Sequence, residues 1–198
     1  MAIDRVHDLQ QVYRKLVHSM SRPGTISTIE QQTQNVEGDC GCSPALLVSA
    51  MTLLDAEVTF HVLAPNRKEL IEKISAYTSA RYTTADQADF ILVVKSVKEE
   101  EILDALQQCK IGHLIDPHQS ATWLIESQKL MNEGPIQLKG PGIQTNHLLQ
   151  TGHSTEFWKA RKNRTQEYPM GIDMIFLDEY SQLACVPRTV SVISMEGN

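Results

Sequence analysis

The sequence predicts an α/β fold of three layers, a mixed β-sheet with helices on both faces. Two observations carry the prediction. Between Ser43 and Leu106, segments with helical spacing alternate with short apolar runs, the pattern of a layered domain with a partly parallel sheet. Tyr168 to Val190 then reads as a strand, a turn and a second strand.

Length and composition set the frame. The 198 residues suit one α/β domain over 1–198. Hydrophobic residues make up 41% of the chain and the mean hydropathy is -0.25, enough for a proper core. The net charge of -6 argues against general affinity for nucleic acid or anionic membrane. No apolar run approaches the roughly 18 residues of a membrane span. The opening MAIDRVHDLQ has no apolar signal-peptide core. These features predict a cytoplasmic protein whose four cysteines stay reduced.

Asp4 is the expected cap of a first helix running to Met20, with Val6, Leu9, Tyr13, Leu16, Val17 and Met20 on its apolar face. Ser21-Arg22-Pro23-Gly24 ends it, because Pro23 forbids continuation and Gly24 accepts a positive φ. Thr25 to Glu30 suits a short strand and Gln31 to Gly41 a polar loop. Cys40-Gly41-Cys42 falls in that loop without a second ligand pair, so no metal site is predicted. Ser43-Pro44 opens a helix buried through Leu47, Ala50, Met51 and Leu54. Val58 to Leu63 is a strand. Asn66 with Glu69 reads as a capping box for a helix through Leu70, Ile71, Ile74 and Tyr77. Phe90 to Val94 is continuously apolar, as a central strand covered on both faces must be. Ser96 with Glu99 reads as a second capping box, ahead of Ile102, Leu103 and Leu106.

Gly112 to Ser120 is expected as a loop and Ala121 to Ile125 as a strand. Lys139-Gly140-Pro141-Gly142-Ile143 lacks the strand-to-helix setting of a phosphate loop, so it reads as a backbone corner before a strand at Ile143 to Leu149. Ser154 caps a helix to Gln166, anchored by Phe157 and Trp158. Its Lys159, Arg161, Lys162 and Arg164 suit a solvated basic face or a docking surface for an acidic partner. The scattered histidines His61, His113, His118, His147 and His153 read as loop or surface residues. In the final hairpin, Ile172 to Leu177 and Leu183 to Val186 are apolar, and Pro187 suits an edge or a bulge. Asp173 and Arg188 are ionic residues inside this apolar unit, so a buried Asp173 needs a partner, with Arg188 or backbone amides the candidates.

No nucleophile elbow, zinc-protease helix, Walker loop or dinucleotide fingerprint is present. No catalytic residue is assigned. That shifts weight toward a subunit or interaction protein.

Several segments, in order, carry a resemblance. Tyr13-Arg14-Lys15-Leu16 with Met20-Ser21-Arg22-Pro23-Gly24, Thr52-Leu53-Leu54-Asp55, Ala88-Asp89-Phe90, Leu138-Lys139-Gly140-Pro141-Gly142-Ile143, Pro169-Met170-Gly171-Ile172-Asp173 and Val186-Pro187-Arg188-Thr189 together resemble the PhnH family. Its members are subunits of the bacterial carbon–phosphorus lyase complex. The resemblance implies an accessory subunit in organic phosphonate catabolism, working with G-, I- and J-type subunits and an L-type ATP-binding partner. Together these support transfer of ribose 5-triphosphate from ATP to methylphosphonate. It implies a fold like a reduced pyridoxal-phosphate-dependent transferase, no cofactor, and a homodimer when isolated. Two rivals stand beside it. One is a stand-alone protein binding an anionic phosphonate or nucleotide, in which Arg22, Arg188 and the basic helix converge on one pocket. The other is a vestigial pyridoxal-phosphate enzyme that keeps a cofactor lysine in a cleft.

Overall fold

The computed structural model describes residues 6–34, 36 and 41–194. Asp4 and Cys40 lie outside them. In chain order the elements are α1 (His7–Ser21), β1 (Ser27–Thr28), α2 (Glu30–Thr33), α3 (Pro44–Leu53), β2 (Thr59–Leu63), α4 (Arg67–Thr78), β3 (Arg81–Tyr82) and β4 (Phe90–Val93). They continue as α5 (Glu99–Gln108), β5 (Thr122–Glu126), β6 (Met131–Lys139), β7 (His147–Gln150), α6 (Thr155–Arg164), β8 (Asp173–Leu177), β9 (Gln182–Val186) and β10 (Ser191–Ser194).

The main sheet has the order β1-β9-β8-β5-β4-β2-β3. From β3 to β8 all neighbours are parallel, while β9 runs antiparallel to β8 and β1 antiparallel to β9. The sheet is therefore mixed. Its central strands are apolar on both faces, and the period of two divides them cleanly. Leu92, Leu124, Ile175, Leu183 and Cys185 face one core, which α1, α3 and α4 cover with Val12, Leu16, Leu46, Leu70 and Ile74. Ile91, Val93, Trp123, Ile125, Met174, Phe176 and Ala184 face the other, covered by Ile102 and Leu106 of α5 and by Phe157 and Trp158 of α6.

Helix α3 shows why the N-terminal half packs as it does. Ser43 Oγ accepts from Leu46 N at 3.2 Å, with Pro44 in the first turn. Ala45 to Ala50 are all buried, so this helix is apolar all round and must lie between other elements.

Several expectations need correction. The buried stripe of α1 is Val12, Leu16 and Ser19, whereas Tyr13 is 53% and Val17 48% exposed. Leu9, Val12, Leu16 and Met20 recur at three- and four-residue steps, and Tyr13 and Val17 fall on the outer side of that stripe. Residues 30–33 form the short α2 rather than loop. Neither capping box forms. Asn66 makes no cap bond to the backbone and instead donates to the Glu69 side chain at 3.4 Å. Helix α5 starts from Lys98, with Ser96 outside it. The strand expected over Ile143 to Leu149 is only His147–Gln150.

A second sheet, β10-β6-β7, is antiparallel throughout and was not foreseen as a unit. Its Ile136, Leu138 and Leu149 join the same core as Phe157 and Phe176, so both sheets share packing.

Candidate functional site: two junctions and a carboxyl-edge cleft

The quoted motifs meet in pairs. Gly24, at φ +82°, lets the chain turn after α1 so that its N–H donates to Cys185 O at 3.2 Å. The late glycine turn packs on the same corner. A β-carbon on Gly142 would overlap the carbonyl oxygen of Ser21, so only glycine allows this approach. Arg22 stands at this junction with an exposed side chain, its Nη1 3.1 Å from His18 Nδ1.

The second junction joins Gly171-Ile172-Asp173 to Val186-Pro187-Arg188. Arg188 N donates to Asp173 Oδ1 at 2.7 Å. Arg188 Nε donates to Oδ1 at 3.3 Å and Oδ2 at 3.1 Å, and Nη2 to Oδ2 at 2.5 Å. Nη1 donates to Pro117 O at 2.7 Å, which ties in the loop before β5. The side chains of Arg188 and Asp173 are 16% and 20% exposed.

Arg161 backs this junction. It is buried, and donates from Nη1 to Val190 O at 3.2 Å and from Nη2 to Val186 O at 3.4 Å and Pro187 O at 2.7 Å. Burial pushes its pKa down to about 10, with the Asp173 carboxylate pulling the other way, so it stays a cation at neutral pH. Arg164 Nη2 donates to Cys109 O. The basic face expected on α6 is thus half structural. Lys159 pairs with Glu156 at 2.9 Å. Lys162 faces a groove of about 480 Å³ between α6 and β10, shared with Arg161, Arg188, Tyr168, Val190 and Ile193. Arg22 is not among the residues lining that groove.

A second cavity, of about 230 Å³, lies beyond the carboxyl ends of β4 and β5, where open parallel sheets commonly bind ligands. Val94, Lys95, Glu99, Glu126, Thr151 and His153 line it. Here the chain supplies its own anions. Glu126 is buried, with Oε1 accepting from Ser43 N and Oε2 from Lys95 N at 2.9 Å. Glu99 Oε2 accepts from Ser154 N at 3.2 Å, and Oε1 from Ser154 Oγ. The N-cap amides of α3 and α6, natural docking points for a phosphate, therefore serve internal carboxylates. Asp178, at the end of β8, is spent the same way on Leu130 N, Tyr180 N and Gln182 N at 2.9–3.0 Å.

His153 stacks on Phe157 at 4.3 Å, with Nδ1 4.0 Å from Glu99 Oε2. Burial pushes its pKa down to about 4 against the opposing pull of Glu99, so the imidazole is neutral at pH 7. The expectation of a loop or surface histidine holds for His153 only in its place in the loop before α6, since its side chain is 10% exposed. It fails outright for His61, which lies in β2 and is buried with Nδ1 2.8 Å from Thr83 O. Among the described residues, no group of three or more His, Cys, Asp or Glu side chains could hold a metal. Among them, too, no helix is long and apolar enough to cross a membrane.

Glu126 went unflagged in the sequence, while Arg161 was placed on the basic face of α6 and His153 among the loop or surface histidines, neither with its buried role. Arg161 had a signal: it lies four residues after Phe157 and three after Trp158, on their helical face. Glu126 had a weaker one, an acid closing an apolar strand. His153 had none.

Fold and site together define a mixed α/β protein whose buried ionic groups hold segments in place, with solvent-facing grooves at its edges. Within that class the chain belongs to PhnH, the bacterial phosphonate metabolism protein family, whose model matches residues 2–193. It is 28% identical over 185 residues to HtxG of Stutzerimonas stutzeri, which carries the name of a C–P lyase subunit protein; the match covers 92% of this chain and 85% of that one. It is 25% identical over 195 residues to the alpha-D-ribose 1-methylphosphonate 5-triphosphate synthase subunit PhnH of Rhizobium meliloti (strain 1021), covering 96% and 92%.

Proposed function

We propose that this protein is an accessory, non-catalytic subunit of a carbon–phosphorus lyase complex in organic phosphonate catabolism. In that role it supports transfer of ribose 5-triphosphate from ATP to methylphosphonate. The observation that carries this reading is the family match over residues 2–193, which spans both junctions. The geometry supports an accessory role, because Glu126 and Glu99 occupy the N-cap amides of α3 and α6, where a phosphate could otherwise dock. The finer reading is a single cytoplasmic domain like a reduced pyridoxal-phosphate-dependent transferase. It binds no cofactor, forms a homodimer alone, and in the complex meets G-, I- and J-type subunits with an L-type ATP-binding partner. The exposed Arg22 serves as a subunit contact, while Arg188 is held by Asp173.

The test is co-expression with the G-, I- and J-type subunits and native mass measurement of the purified assembly. A stable complex containing this chain is the expected result. A folded chain that never enters it, but binds methylphosphonate or ATP alone by calorimetry, would replace the reading with a stand-alone binding protein.

A further inference from the structure

The small sheet ends on an open edge. β10 pairs with β6 on one side only, at Ser191↔Lys139 through Ser194↔Ile136. Among the described residues, its outward backbone groups have no hydrogen-bond partner. Both edges of the main sheet are blunted by length, since β1 and β3 have two residues each. β10 has four, Ser191-Val192-Ile193-Ser194, with no charge and no proline to discourage a further strand. Ile193 is 45% exposed on this edge, and Tyr168 across the groove is 77% exposed.

The groove is also selective in charge. Asp173 neutralises Arg188 and Arg161 is buried on main-chain carbonyls, which leaves Lys162 as the exposed positive charge along a wall of a protein that carries -6 overall. A segment entering it meets a row of backbone donors and acceptors, an apolar pair and a cationic rim. Those are the elements of strand addition, in which main-chain bonds give affinity and flanking side chains give specificity.

We propose that β10 is a docking edge. An extended segment of another subunit of the assembly adds to it as a further strand, placing an apolar side chain against Ile193 and Tyr168 and an acidic one against Lys162. This rests on the subunit reading, and the test separates the two. The co-expressed assembly is measured by native mass with wild type, Ile193→Lys and Lys162→Glu, and amide exchange of residues 191–194 is compared in the free and assembled wild type. Wild type assembles, its β10 amides gain protection, and Ile193→Lys lowers the assembled fraction about tenfold, the loss expected for an interface anchor. Unchanged assembly of both variants, or β10 amides that exchange equally in both states, overturns the docking edge and leaves the subunit reading intact. Wild type that fails to assemble overturns the subunit reading itself. Loss of self-association in Ile193→Lys with the mixed assembly unaffected gives the edge to a second copy of this chain and overturns the occupant proposed. Should Ile193→Lys misfold by circular dichroism, the wild-type exchange measurement decides alone.

Discussion

Asp173, the first residue of β8, accepts both the backbone N–H and the guanidinium of Arg188, just past the end of β9. The pair therefore staples the two strands where β9 leaves the sheet. Arg188 also holds Pro117 O, so a third segment depends on it. Asp173→Ala leaves a largely buried cation without its counter-ion, which costs on the order of 3 kcal/mol. Urea denaturation of the variant checks this, and a loss below about 0.5 kcal/mol would place the pair with ordinary surface ion pairs.

Arg161 tests a different principle, since its bonds all run to main-chain carbonyls. A Lys at 161 keeps the charge but offers one ammonium where a planar fork reaches Val186, Pro187 and Val190. Arg161→Lys is expected to destabilise by about 2 kcal/mol and Arg161→Ala by about 4 kcal/mol, because carbonyls are left unpaired and a cavity opens. Equal losses from both variants would show that packing of the aliphatic stem dominates.

The sequence showed the architecture more clearly than the site, for physical reasons. A strand buried on both faces must be apolar throughout, so Phe90 to Val94 could be read directly. A serine before a proline fixes a helix start locally, so Ser43 could be read too. The small sheet escaped because β6 carries Asn132, Glu133, Gly134 and Pro135 in its first half, which reads as loop until β7 and β10 supply partners. The Asp173–Arg188 pair was a legible candidate, since a carboxylate inside an apolar hairpin demands compensation. The carboxyl-edge cleft was not. Its members Glu99, Glu126 and His153 lie far apart in the chain and meet only through the parallel crossovers. Glu99 even looked like the cap of its own helix, and instead reaches Ser154 at the start of α6.

Glu126 couples that cleft to the N-terminal half by accepting from both Ser43 N and Lys95 N. Glu126→Ala strands two part-buried N–H donors, for an expected loss of about 2 kcal/mol. Glu126→Gln keeps one carbonyl acceptor, so its loss should be about half as large. Thermal or urea unfolding of the two variants gives the comparison, and Gln as damaging as Ala would mean that both oxygens are needed.

The thiols offer a chemical test of the core. Cys109 and Cys185 are buried on opposite faces of the sheet. Burial raises both thiol pKa values, which lowers the thiolate fraction further. Neither should react with a thiol-specific reagent at pH 8 until urea unfolds the chain. Peptide mapping after native labelling checks it, and modification of Cys185 before unfolding would show that the α1 face opens locally.

His153 sets an acid limit on stability. Folded, its imidazole takes up a proton only near pH 4, whereas unfolded it does so near 6.5. Between those values the unfolded chain binds more protons, so stability falls as pH drops through the window and is fully present above it. The full effect amounts to roughly 3 kcal/mol, lost by pH 4. Asp86 and Asp89 titrate below their usual 3.8, so their contributions disappear only at more acidic pH. His153→Phe keeps an aromatic ring against Phe157 and removes the titration. Its stability profile should be flatter than that of wild type between pH 6.5 and 4, and the two should run parallel above pH 7. Denaturation curves across that range measure the difference. Parallel profiles throughout would mean that the ring protonates in the folded state with little penalty, through an approach to Glu99 closer than the present 4.0 Å.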